Sequence, residues 1–271
     1  MLSGINQWAF PGSMPVDEAC RIAGEVGFES IELCLDEQNY ISLDSSDEQI
    51  AVARHAADRH GLQVLSVATG LGWKYPLTSP DLKVREQGLE ILANSLRITH
   101  LLGADSLLVV PGIVTPEVDY HIALENALET IQKATEIAEK YKVNLAIENV
   151  WNRFLLSPVE MRDFIDQCES EWVGAYFDVG NILAYGYPEQ WIRILGNRIR
   201  KIHLKDFRLA TGTLDGFVML LEGDVNWPEV MNALKDVGYD GPLTAEYGAY
   251  THGLEPMLHQ VHTAIQALVK M

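Results

Sequence analysis

Apolar and polar positions follow two periods along this chain. Short apolar runs predict strands over residues 2–8, 30–35, 63–69, 106–111, 143–150, 173–178, 199–205 and 242–246. Between them, apolar residues recur every three or four positions, as in Leu124, Ala127, Leu128, Ile131, Ala134, Ala138 and Tyr141, or Val84, Gly88, Ile91, Leu92, Ser95 and Leu102. Stripes of that spacing are the buried faces of amphipathic helices. The punctuation agrees: Ser157-Pro158, Tyr187-Pro188 and Asn226-Trp-Pro228 open helices, and His60-Gly61 closes one. Gly27, Gly103 and Gly238 stand where a helix hands over to a strand.

Eight strand-helix units in 271 residues, with no low-complexity linker and no shift in composition, predict an α/β fold. The expected form is a single-domain (β/α)8 TIM barrel over residues 1–271. An open, doubly wound sheet is the alternative. It fits less well, because the first strand is followed by Pro11-Gly-Ser-Met-Pro15, where a dinucleotide-binding sheet would carry Gly-x-Gly-x-x-Gly. No Walker-type phosphate loop is present either. The segment 207–226 makes an unusually long connection after the seventh strand, a length that in compact domains marks a functional loop.

Composition narrows the partners. With 38 acidic against 20 basic side chains, the formal charge is −18, and no basic stripe stands out, so a nucleic-acid partner is not expected. The chain is 48% apolar and has no run near the roughly 20 apolar residues of a membrane span, so no membrane partner is expected either. The segment Met1-Leu-Ser-Gly-Ile-Asn-Gln-Trp8 lacks the basic and long apolar regions of a signal peptide, which makes the expected location cytoplasmic. Cys20, Cys34 and Cys168 are odd in number and outside any Cys-x-x-Cys spacing. They read as buried thiols, neither a disulfide framework nor a zinc site.

In a barrel of this kind the reacting groups stand at the carboxyl ends of the strands. Four successive ends carry polar residues: Glu148, Asp178, His203 and Glu246. Side chains alternate along a strand, so if Val143, Leu145 and Ile147 face the helices, Glu148 faces the barrel axis. The same parity turns Asp178, His203 and Glu246 inward. Any one of these alone reads equally well as a cap or an ion-pair partner; all four with matching parity read as a site. Three carboxylates so close together repel one another unless some are protonated or a cation sits among them. An oxygen-rich set with one nitrogen suits Mn²⁺, Mg²⁺ or Co²⁺ better than a structural zinc.

The segments Ala146-Ile-Glu-Asn149, Tyr176-Phe-Asp-Val-Gly-Asn181, His203-Leu-Lys-Asp206 and Leu221-Glu-Gly-Asp-Val-Asn-Trp227 leading to Thr244-Ala-Glu246 resemble the xylose isomerase-like TIM barrels of the sugar isomerase and 3-epimerase type. That resemblance runs from the first strand to the last helix. It implies one divalent metal ion, Mn²⁺ first, with Mg²⁺, Co²⁺ or Zn²⁺ as alternatives, bound by Glu148, Asp178, His203 and Glu246. It also implies acid and base roles for Glu148 and Glu246, acting on a small-molecule sugar or sugar phosphate through a metal-stabilised enediolate. Epimerisation requires a proton taken from one face and returned to the other, hence two bases. Aldose-ketose isomerisation would use the same site with transfer between adjacent carbons.

Four further residues are substrate-binding candidates. Arg208 falls near the family's substrate-contacting Arg, Lys205 shares the parity of His203, and Trp8 ends the first strand where it would stack on a sugar. Asn181 stands where D-tagatose and D-psicose 3-epimerases carry a His. Those enzymes also have a Glu shortly after an Asn-Arg pair, where Asn152-Arg-Phe-Leu-Leu156 supplies Leu. Both departures point away from a free ketohexose. Two other functions fit the scaffold, an inosose-dehydratase-type lyase and a non-catalytic sugar-binding barrel. By analogy with relatives, a homodimer or homotetramer is the expected assembly.

Overall fold

A computed structural model of the chain describes residues 1–38 and 41–271. Eight parallel strands form a closed ring: β1 (Leu2–Asn6), β2 (Ser30–Asp36), β3 (Ser66–Thr69), β4 (Ser106–Val109), β5 (Asn144–Glu148), β6 (Val173–Asp178), β7 (Ile199–Leu204) and β8 (Pro242–Ala245). Each pairs with its neighbours in sequence, and β1 closes the ring on both sides, with Ile5 opposite Ile31 of β2 and Ala245 of β8. This closure is what an open sheet lacks, so the expected barrel is the observed one. The helices that follow the strands are α1 (Val16–Val26), α2 (Asp47–Arg59), α3 (Leu82–Leu102), α4 (Tyr120–Tyr141), α5 (Pro158–Gln167), α6 (Pro188–Leu195), α7 (Trp227–Asp236) and α8 (Leu254–Val269).

Strand parity separates two apolar layers. Val143, Leu145, Ile147, Val173, Ala175, Phe177, Ile202, Leu204, Leu243 and Ala245 pack outward against the helices. Inside the ring a smaller cluster of Cys34, Ala68, Leu108, Val110, Ala146, Val150 and Tyr176 fills the axis, with Trp8 against it. On α4, Ala127, Ile131, Ala134 and Ala138 are buried as the periodicity predicts. Gly27 and Gly103 close α1 and α3 in left-handed conformations, and the Ser157 hydroxyl accepts the Glu160 N–H at the start of α5. All three cysteines are free and buried. Among the described residues, no helix is long and apolar enough to cross a membrane.

The predicted strands overrun the observed ones where side chains capture the backbone. β1 stops at Asn6 because its side-chain oxygen accepts the Trp8 N–H at 2.7 Å, starting a 3-10 turn over Gln7–Ala9. After β7 the chain does not run straight into a loop. Asp206–Phe207 pairs antiparallel with Phe217–Val218, and a 3-10 turn at Leu214–Gly216 joins them. The fully buried Asp206 carboxylate organises this whole segment. One oxygen accepts the N–H groups of Phe207 at 2.9 Å and Val225 at 3.3 Å, and the other accepts Leu221 N–H and Trp227 Nε1–H, both at 2.9 Å.

Removing that carboxylate leaves four donors without an acceptor, three of them buried and that of Leu221 partly so. Asp206→Ala should therefore lower stability by on the order of 3 kcal/mol in denaturant titration, with Asp206→Asn between it and the parent. A loss below about 1 kcal/mol would show that the segment holds itself without Asp206.

Candidate active site

The inward-facing groups of four strands meet at the upper rim. Glu148 ends β5, Asp178 ends β6, His203 lies one residue from the end of β7, and Glu246 follows β8. Each offers one ligand atom, and these four atoms lie within 4.8 Å of one another. Asp178 and His203 are fully buried, while Glu148 and Glu246 also face the cavity above.

Each carboxylate is aimed by its neighbours. The Asn149 amide donates to the Asp178 carbonyl at 2.8 Å, and its oxygen accepts the Asp178 N–H at 2.9 Å, a reciprocal clamp between β5 and β6. The Asn181 N–H donates to Asp178 Oδ1 at 2.8 Å, which leaves Oδ2 turned into the cluster. Between them Gly180 passes so close to β7 that a Cβ would stand 2.7 Å from both the Lys205 Cβ and its carbonyl oxygen. The Asp-Val-Gly-Asn run is thus a turn that only glycine permits, built to present Asp178.

Glu32, inside β2, completes the centre, and the position of reacting groups at strand ends does not predict it. It is 2% exposed. Its Oε1 lies 2.6 Å from His203 Nε2 and accepts Asn6 Nδ2–H at 2.6 Å. Its Oε2 accepts the hydroxyls of Ser66 at 2.6 Å and Tyr176 at 2.5 Å. His203 is therefore gripped at Nε2, and its Nδ1 turns to Glu246 at 2.7 Å and Glu148 at 3.4 Å. An imidazole whose far nitrogen is fixed by a carboxylate is the usual arrangement behind a metal-ligating His, since it sets the tautomer and raises ligand basicity.

Electrostatics follow from this crowding. Burial pushes Glu148 up to about 7, with Glu246 adding to the effect and His203 and Lys205 opposing it. Burial and the Glu246 charge likewise raise Asp178, in spite of Lys205. Burial would raise Glu246 too, but the Lys205 and His203 charges beside it bring it down to about 2. For His203 burial disfavours the imidazolium, yet contact with Glu32 and Glu246 holds it well above the ordinary histidine range. Burial also works against an ionised Glu32, and His203 with the Ser66 and Tyr176 hydroxyls outweighs it. Lys205 Nζ sits 3.1 Å from Asp178 Oδ2 and 2.9 Å from Glu246 Oε2, within ion-pairing distance. Neither of those buried oxygens is met by any donor in hydrogen-bonding geometry. Two orphaned carboxylate oxygens, a third carboxylate and an imidazole nitrogen pointed at one centre fit a divalent cation.

The remaining sequence candidates divide. Trp8, Asn181 and Lys205 line the cavity of about 410 Å³ above the cluster, together with Trp73, Trp151, Leu214 and Phe217. Asn181 spends its amide N–H on the Asn149 carbonyl at 3.0 Å, and Trp151 donates to the Asn181 carbonyl at 2.7 Å. Arg208 is exposed and not among the lining residues, because the turn into the Asp206–Phe207 hairpin carries it away from the rim.

The family model for xylose isomerase-like TIM barrels matches residues 20–269. The chain belongs to that family. It is 27% identical over 251 residues to the L-ribulose-5-phosphate 3-epimerase UlaE of Shigella flexneri, covering 92% of this chain and 87% of that protein. Among solved structures it resembles a D-psicose 3-epimerase from Clostridium cellulolyticum H10, with a TM-score of 0.83, 19% identity and coverage of 100% and 99% of the two chains. The IOLI protein with a zinc atom bound is equally alike in fold, at a TM-score of 0.84, 16% identity and coverage of 100% and 98%. As a member of this family the chain shares its fold with sugar 3-epimerases, which are isomerase-class enzymes.

Two outcomes test the geometry. Glu32→Gln should weaken Mn²⁺ binding roughly 10- to 100-fold in calorimetric titration without loss of the folded far-UV spectrum; unchanged affinity would remove Glu32 from this role. Because His203 and Glu148 have raised pKa values, the metal-free cluster holds protons at neutrality that a cation must expel. Apparent Mn²⁺ affinity should therefore climb between about pH 6 and pH 8, with net proton release seen as a dependence of binding heat on buffer ionisation enthalpy. A flat profile without proton release would contradict it.

Proposed function

We propose that this protein is a divalent-metal-dependent 3-epimerase acting on a ketose or ketose phosphate. One observation carries the reading: of the four clustered groups, Glu148 and Glu246 alone also line the cavity, so two carboxylates meet the substrate space while two ligands stay buried. They come from β5 and β8, three steps apart in the ring, and so reach a central substrate from different sides. Epimerisation requires that pairing of acid and base on opposite faces.

Glu148, Asp178, His203 and Glu246 would hold the ion, Mn²⁺ in our reading. When bound, such an ion polarises a ketose carbonyl and acidifies the adjacent C–H. The chain's own residues do the rest. Either Glu148 or Glu246 removes the C3 proton and the other returns one to the opposite face. Asn149, Asn181 and Glu32 keep Asp178 and His203 fixed through the cycle, so that little reorganisation accompanies the movement of charge. Lys205 and Asn181 stand within the cavity to orient hydroxyls, and Trp8 offers an apolar face. We place the protein in the cytoplasm, where its three buried thiols stay reduced.

Incubation with Mn²⁺ and a panel of ketoses in D₂O should put deuterium at C3. Label at C1 or C2 would mark an aldose-ketose isomerase, a dehydrated diketone would mark the lyase, and no exchange with metal bound would mark a binding protein. Glu246→Gln should abolish exchange while a measurable metal affinity remains; retained turnover would end its assignment as an acid or base.

A further inference from the structure

Two cavities open above the acidic centre, of about 410 and 340 Å³, and both are bordered by Lys205, Phe217 and Glu246. Aromatic rings stand in both walls: Trp8, Trp73 and Trp151 in the larger, Tyr247 and Tyr250 in the smaller, with Phe217 between them. Among the described residues, Lys205 is the single cation in either wall, and its ammonium lies between Asp178 and Glu246, 3.1 and 2.9 Å from their oxygens. The two positions outside the description, Asn39 and Tyr40, carry no cationic side chain. Lys74, next to Trp73, is held by both Glu37 oxygens at 2.9 and 2.7 Å. Arg208 lies outside both walls.

A phosphate ester carries between one and two negative charges at neutral pH and in protein sites is met by Arg, Lys or a run of backbone N–H groups. Here it would lose water beside Glu148 and Glu246 with no free side-chain cation to receive it. An uncharged polyol meets no such obstacle. Its C–H face packs on the rings, and its hydroxyls reach Asn181 and Lys205.

We infer that the substrate is an uncharged polyhydroxy ketone and that the aromatic walls discriminate against its phosphate ester. This rests on the ketose reading above, and it departs from the phosphorylated substrate in the name of the Shigella relative. It also places the enzyme before any kinase that phosphorylates the sugar.

The test uses the Mn²⁺-loaded protein with L-ribulose, D-tagatose and L-ribulose 5-phosphate, read both by C3 deuterium exchange and by quenching of tryptophan fluorescence. The free ketose that exchanges best should exceed the phosphate in kcat/KM by at least about 100-fold, and free ketoses alone should quench saturably. Equal or better kcat/KM for the phosphate would overturn the inference while leaving the epimerase reading intact. If neither form exchanges, the epimerase reading fails and fluorescence decides: saturable quenching by free ketoses alone upholds the discrimination. Quenching by the phosphate with equal or higher affinity, or by none of the three sugars, overturns it.

Discussion

His203 stands between carboxylates on both sides, and the rest of the barrel interior is arranged around that fact. Glu32 grips Nε2 from β2, and Glu246 and Glu148 approach Nδ1 from β8 and β5. Ionised carboxylates brought this close inside a protein repel one another and lose their hydration, so each needs a donor or a cation. Glu32 finds its donors in Asn6, Ser66 and Tyr176. Asp178 finds one in the Asn181 N–H. Lys205 stands beside the two oxygens left over, in Asp178 and Glu246. Those leftovers are where a divalent ion belongs, because it can engage several oxygens at once where an ammonium on a flexible stem acts as a single point charge. Residues of the inner layer away from this centre, such as Ala68 and Ala146, are small and apolar, leaving room for the polar network without competing for its hydrogen bonds.

The two ends of each inward-facing group answer to different constraints. Below, Asp178 is tied to the neighbouring strand by the Asn149 clamp, so it cannot shift without breaking a buried pair. Above, Trp73 comes from the short helix Leu71–Lys74, and Leu214 and Phe217 come from the hairpin that Asp206 supports. Phe217 leans on Phe207 and Trp151, with ring centroids 5.1 and 5.6 Å away. The chemistry is therefore fixed by the ring and the choice of substrate by the loops, which is how one barrel supports many reactions.

This division also decides what could be read from the chain. Parity has a period of two and holds over a whole strand, so Glu148, Asp178, His203 and Glu246 were legible together from the outward positions of their neighbours. Glu32 obeys the same rule, inward with Cys34 while Ile31, Leu33 and Leu35 pack outward. It lies inside the strand Ser30–Asp36, where a rule that reads strand ends does not reach. A lone acid inside an otherwise apolar run was the available signal. Arg208 was suggested by resemblance and not by parity, and it lies outside the cavity walls, because the Asp206 carboxylate, by gathering donors from as far away as Trp227, folds that stretch into a hairpin. Trp73 had no periodic signal at all, since a helix of four residues is too short to show one.

The formal charge of −18 takes on meaning once the site is placed. Spread over the surface, it makes the protein as a whole attractive to divalent cations and unfavourable to anionic sugars, although exposed charges farther apart than about 8 Å are largely screened at physiological salt. The decisive contribution is local. The carboxylates at the rim are partly shielded from solvent by Trp8, Trp151 and Phe217, where screening is weakest. The same negative centre that recruits the ion therefore also faces whatever enters above it. When the ion is bound its charge offsets part of that field, but Glu148 and Glu246 still border the cavity, and Lys205, the one ammonium there among the described residues, is already shared between carboxylates. In the reading proposed above, a second anion at this rim would have to be matched by a cation that the described walls do not supply, and so the requirement that holds the four ligand groups together would also limit the charge of the substrate.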